Sequence, residues 1–133
     1  MRIYFDENFS PHLIKAFATL QDGRPREDVQ VLSVSEEFNK GCVDETWIPA
    51  IAQQHGVVVT QDTNINRTKA QWALCQDNKI GIFFFEPPKS GWDYWTIVSL
   101  TLKWWPRVKD TAKNAKRPFG RVIQVHRSKW AEL

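Results

Sequence analysis

Cysteine is scarce in this chain, with two in 133 residues, Cys42 and Cys75. Two thiols exclude a disulfide-stapled scaffold and cannot form a zinc cage on their own. The plain reading of each is a small buried or half-buried side chain. No run of 18 apolar residues occurs, so no membrane-spanning helix is expected. The opening MRIYFDENFS carries acids at positions 6 and 7, unlike a secretory signal, and the cytoplasm is the default expectation. His12, His55 and His126 lack metal-ligand spacing, and His55 reads as a residue at a helix C-terminus. There is no glycine-rich phosphate loop and no serine or cysteine nucleophile motif.

What is present is an ordinary globular composition, 42% hydrophobic and 25% charged. The length suits one domain, taken as residues 1–133, with a real core. The net charge of +3 is unevenly spread. Residues 1–100 carry 9 Lys and Arg against 13 Asp and Glu, whereas residues 101–133 carry 9 against 2. Such a split suggests an acidic site in the body and a basic surface near the C-terminus.

Along the chain, Arg2–Phe5 is a short apolar run and reads as a buried strand. Ser10-Pro11 gives a helix cap followed by proline at the first helical position, and Leu13, Ile14, Phe17 and Ala18 follow at helical spacing. Val29–Val34 reads as a second strand and Ser35–Val43 as a loop. Asp44-Glu45 opens a second helix, in which Pro49 is tolerable only within the first turn. His55-Gly56 closes that helix. Val57–Thr60 reads as a central parallel strand. A helix over 66–76 and a strand over Ile80–Phe85 follow. A long amphipathic helix spans Asp93–Lys113, with Pro106 as a candidate break, and Phe119–Val125 reads as an edge strand. Alternation of strand and helix predicts a three-layer α/β/α domain around a mainly parallel sheet of about five strands.

In such sheets ligands bind beyond the carboxyl ends of the strands. The first strand ends in Asp6-Glu7-Asn8 and the third in Thr60-Gln61-Asp62-Thr63-Asn64. The helix between the second and third strands presents Asp44-Glu45 to the same rim. Clustered carboxylates repel one another and resist joint ionisation. A hard divalent cation, Mg²⁺ or Mn²⁺, resolves that conflict and can activate water or polarise a phosphoryl oxygen. The candidate ligands are Asp6, Asp44, Glu45, Asp62 and Asn64, and the candidate catalytic acids are Asp6, Glu45 (or Asp44) and Asp62. Glu7, Asn8 and Thr60 are candidates to support them. The plain structural readings are a turn aspartate for Asp62 and service to the helix dipole for one of Asp44 and Glu45.

RIYFDENFSPHLIKAF resembles the start of small PIN-like domains, and VDETWIPAIAQQHGVVVTQDTNIN resembles their second signature. The likeness covers roughly residues 1–90. It implies a PIN-like nuclease fold similar to VapC-type toxin ribonucleases, which use clustered acids to hold Mg²⁺ or Mn²⁺ and hydrolyse RNA. Asp6, Asp44 or Glu45, and Asp62 take the family's acidic positions. The family often places a further acid where this chain has Asn64, which adds no charge and implies weaker metal binding. A toxin role implies an antitoxin partner.

The segment from Asp93 onward lies outside the resemblance. It carries Trp95, Trp104 and Trp105 among Lys103, Arg107, Lys109, Lys113, Lys116 and Arg117. Neighbouring Trp104 and Trp105 point about 100° apart on a helix, so one is expected to be partly exposed. A basic aromatic surface of this kind can follow RNA phosphates and stack bases, with Lys103, Arg107, Lys109, Lys113 and Arg117 as the contacts. The plain alternative packs the tryptophans on the sheet or in a homodimer interface. The rival to a nuclease is a catalytically inactive PIN-like module that binds RNA or protein. A phospho-receiver domain fits poorly, because it expects a lysine ending the last parallel strand, where Val125-His126-Arg127 stands.

Overall fold

The computed structural model describes residues 1–61, 64–88, 90–125 and 129–133, and of residues 65 and 66 the backbone alone. The chain runs β1 (Arg2–Phe5), α1 (Pro11–Asp22), a 3₁₀ turn (Pro25–Glu27), β2 (Gln30–Ser33), α2 (Val34–Phe38), α3 (Asp44–Gln53), β3 (Val57–Gln61), α4 (Ile65–Asp77), β4 (Gly81–Glu86), α5 (Tyr94–Asn114), β5 (Phe119–Gln124) and β6 (Ala131–Glu132). The strands form one sheet in the order β2-β1-β3-β4-β5-β6, parallel except for β6 against β5.

Strand alternation sorts the core into two clusters. Ile3, Phe5, Val57, Val59, Phe83, Phe85 and Ile123 face α1 and α5, which contribute Leu13, Phe17, Leu100, Trp104 and Val108. Tyr4, Val58, Ile82 and Phe84 face the other way, against Trp47, Ile48 and Ile51 of α3 and Cys75 of α4. The expected three layers are therefore present. Residues 94–133 share the sheet and the first cluster with the rest of the chain. Ser10 caps α1 by accepting from the His12 N–H at 3.2 Å, and Pro11 opens it. His55 takes φ of 55° between α3 and β3. A Cβ at the adjoining Gly56 would lie 2.7 Å from the Tyr4 ring.

Several expectations are corrected. The segment expected to be a loop over 35–43 contains most of α2, whose five residues pack Val34 into the core. β5 is not the edge, because β6 pairs outside it and makes the sheet six-stranded. Pro49 lies beyond the first turn of α3, and Pro106 leaves α5 unbroken. Both prolines withdraw the i−4 hydrogen bond from exposed residues, Glu45 and Leu102, whose carbonyls can turn to water.

Both adjacent tryptophans are buried, Trp104 to 1% exposure and Trp105 to 7%. Their side chains are long enough to reach opposite flanks of the helix footprint. Trp105 packs against Phe17 and Phe5, with ring centroids 5.2 and 6.0 Å away, and donates its indole N–H to Gln21 Oε1 at 3.0 Å. Trp104 stacks on Trp130 at 5.3 Å, with the Arg107 guanidinium 4.8 Å from its ring centre. The exposed tryptophan is Trp95, at 73%. Trp104→Ala should therefore lower stability by about 3–5 kcal/mol in urea unfolding, whereas Trp95→Ala should stay within about 0.5 kcal/mol of wild type.

Candidate functional site

β1 has β2 on one side and β3 on the other. The chain leaves β1 in one direction and returns at β3 in the other, and diverging crossovers leave a crevice at the carboxyl ends of these two strands. Asp6 stands at that crevice. Its N–H donates to Val59 O at 3.0 Å, which carries the β1–β3 pairing one residue further.

The Asp6 side chain is 1% exposed. A carboxylate so buried needs donors around it. The Thr60 hydroxyl donates to Oδ2, the Asn8 backbone N–H donates to Oδ1 at 3.1 Å, and Asn8 Nδ2 approaches Oδ2 at 3.5 Å. Thr60 is itself fully buried in β3. The Asn8 carbonyl accepts from Gln61 Nε2 at 2.6 Å, and Gln61 Oε1 accepts from the Trp92 indole N–H at 2.9 Å. Each residue holding Asp6 is thus held by a neighbour.

Glu7 accepts the Gly41 N–H at 3.2 Å and so ties the loop before α3 to the rim. Asp44, in the first turn of α3, faces the Arg67 guanidinium at 3.4 and 3.5 Å, while Glu45 is exposed. Arg67 shares a narrow cleft with Asp6, Glu7, Ser35, Asn39 and Cys42. The space between them is about 10 Å³, roughly the room of one water or one small ion. Asn64 Oδ1 accepts the Arg67 N–H at 3.2 Å and caps α4. Asp62 lies outside the described residues. Among the described residues, no three His, Cys, Asp or Glu side chains gather where a metal could sit.

The structure therefore brings Asp6, Glu7, Asn8 and Thr60 together and sets Asp44 against a cation of the same cleft. Arg67 went unnoticed in the sequence, although a signal existed. It occupies the third position of α4, where the helix dipole disfavours a cation, and a cation there calls for an acidic partner. Cys75 is fully buried, as its plain reading expects, and that burial pushes its thiol up to about 12.

The basic residues of α5 and of the turn that follows it are distributed differently. α5 runs from the carboxyl edge back to the amino edge, about 30 Å for its 21 residues. Lys109 pairs with Glu27, and the Lys113 ammonium donates to the Glu27 carbonyl. Arg117 donates to the His55, Gly56 and Ala112 carbonyls at 2.7, 3.2 and 3.0 Å. These three tie α5 to the end of the domain remote from Asp6. Lys103 and Arg107 flank the Trp104 ring midway along the helix.

A family model described as a PIN-like domain matches residues 1–87. The chain belongs to the PIN-like domain family, which is of nuclease type. No curated protein and no solved structure matches it. Among the described residues, no helix is long and apolar enough to cross a membrane.

The Lys109 and Gln21 side chains hold the Glu27 carboxyl below its ordinary 4.5. The stability it contributes is then complete above that value and is lost as pH falls through the lowered one. The melting temperature of wild type should exceed that of Glu27→Gln at pH 7, and thermal melts at descending pH should show the gap closing below about pH 4.5.

Proposed function

We propose that the chain is a metal-dependent endoribonuclease that hydrolyses RNA phosphodiester bonds at the carboxyl edge of its sheet. One observation carries this reading. Asp6 is a buried carboxylate at the topological switch between β1 and β3, fixed by Thr60 and Asn8 and opening on a cleft that admits one ion-sized guest. An apolar residue would serve the fold better there, because burying a charge is unfavourable unless it is used.

The cleft's oxygen donors, from Asp6, Glu7, Ser35 and Asn39, suit Mg²⁺ or Mn²⁺. Asp6 would hold the ion, with Asp62 and Asp44 or Glu45 as the further acids that the family resemblance supplies. When bound, the ion would polarise a phosphoryl oxygen and lower the pKa of a coordinated water. The chain's own part is orientation. Thr60 and Asn8 fix the Asp6 carboxylate, Glu7 holds the loop leading to α3, and Arg67 offers positive charge to a phosphate while holding Asp44. Asn64 adds no charge, and with the size of the cleft this favours a single ion. The toxin role and an antitoxin partner rest on the resemblance alone; such a partner would block the carboxyl edge.

A non-catalytic RNA-binding module is the second reading, favoured by Arg67, which already brings positive charge into the acidic cleft. The deciding experiment incubates a mixed RNA panel with Mn²⁺, Mg²⁺ or EDTA. Wild type should cleave only with metal, and Asp6→Asn should be inactive. Thr60→Val should lose about 10- to 100-fold, partly restored by excess metal, as expected for a residue that orients a ligand. Absence of cleavage by folded protein, with RNA binding that survives EDTA and Asp6→Asn, would establish the second reading instead.

A further inference from the structure

The first helical turns of α5 carry a feature that neither the fold nor the acidic cleft uses. Trp95 projects into solvent, and Tyr94, also exposed, meets it edge to face with ring centroids 5.2 Å apart. A lone exposed aromatic residue needs no explanation. Here, however, Trp95 forms one wall of an open groove of about 420 Å³. Thr96, Ser99 and Lys103 of α5 line it, and Val125, just past β5, also contributes. The residues at 95, 99 and 103 follow the i, i+4, i+8 spacing of one helix face. The groove thus pairs an aromatic plane with hydroxyl groups and an ammonium. Asp93 also lines it, but its carboxylate caps α5 by accepting the Thr96 N–H at 2.8 Å, and that bond holds its pKa below the ordinary value. The dipole of the helix N-terminus further offsets its charge.

Position connects the groove to the acidic cleft. α5 begins after β4 and the groove reaches the end of β5, so both features lie on the carboxyl edge. Two to three strand spacings separate β5 from β3 and β1, about 10–15 Å. The Trp92 indole, two residues before Tyr94, bonds to Gln61, which holds the turn at Asn8 beside Asp6. The groove's walls belong to residues 93–125, beyond the stretch that matches the family model.

We propose that this groove is a nucleobase-stacking subsite for single-stranded RNA. One base would lie on the Trp95 ring, Thr96 and Ser99 would offer hydrogen bonds, and Lys103 would neutralise the adjoining phosphate. Stacking of this kind excludes a duplex, whose bases are already stacked, and fixes the strand at a set distance from Asp6. The choice of RNA as occupant rests on the nuclease reading and on the charge of Lys103.

The test measures binding in EDTA, where a metal-dependent nuclease is silent. Fluorescein-labelled single-stranded RNA 12-mers, and the same strands as duplexes, are titrated by anisotropy with wild type, Trp95→Ala, Trp95→Phe and Lys103→Ala. Circular dichroism confirms folding. Trp95→Ala should weaken single-strand binding about 5- to 100-fold, with Trp95→Phe retaining most of the affinity. Lys103→Ala should flatten the salt dependence by about one ion. Duplex should bind more weakly than single strand. Equal affinity of wild type and Trp95→Ala, or equal affinity for duplex and single strand, would overturn the proposal. So would absence of RNA binding, or a wild-type dimer in sedimentation that Trp95→Ala dissolves, which would assign the patch to self-association. The nuclease reading is scored separately by cleavage with Mn²⁺. Cleavage without Trp95 dependence defeats the subsite alone, and Trp95-dependent binding without cleavage defeats the nuclease alone.

Discussion

A carboxylate held almost out of water between two parallel strands is the constraint around which the carboxyl edge is organised. Asp6 can sit there because Thr60 on the neighbouring strand and Asn8 in its own turn supply donors. The Asn8 bond is local, but Thr60 depends on the β1–β3 register, which sets Phe5 opposite Val59 and so brings Asp6 beside Thr60. Shifting that register by one residue would turn every side chain of β1 to the other face. It would place the charge in one of the apolar clusters. The packing of the sheet and the chemistry of its rim therefore specify each other.

The same logic extends outward in successive layers. Gln61 holds the carbonyl of Asn8, and Trp92 holds Gln61. Glu7 binds the loop leading to α3, and Arg67 joins α4 to Asp44 at the start of α3. Groups that share hydrogen-bond partners in this way act together, and the loss of one is felt by the others. The rim is built from segments distant in sequence, and each is fixed by a rigid strand end or helix start. Under the proposed function such support would keep an ion and a phosphate in register.

At the opposite edge the charges serve the fold. Lys109 and Lys113 reach Glu27, and Arg117 takes up carbonyls at the turn before β3. These contacts hold α5 across the sheet, where Trp104 and Trp105 fill the space between α1 and Trp130. The basic character of the C-terminal segment is therefore divided. Its later cations fasten the helix, and Lys103 remains beside the groove at Trp95.

The amino-acid sequence by itself determined the alternation of strands and helices, the parallel sheet and the rim that bears Asp6. Apolar runs and helical spacing are local signals, and strand ends in such sheets converge by a general rule. The capping of α1 by Ser10 and the turn at His55-Gly56 were local in the same sense. Tertiary structure alone decided the rest. Arg67 at the start of α4 calls for an acid, but only the fold decides that this acid is Asp44, 23 positions away. The burial of both Trp104 and Trp105 depends on the width of the space that α5 covers. β6 is two residues long and exists only because β5 offers it an edge. The split of the basic residues follows from the direction in which α5 crosses the sheet. Each of these is a long-range contact, and such contacts depend on the whole folded chain.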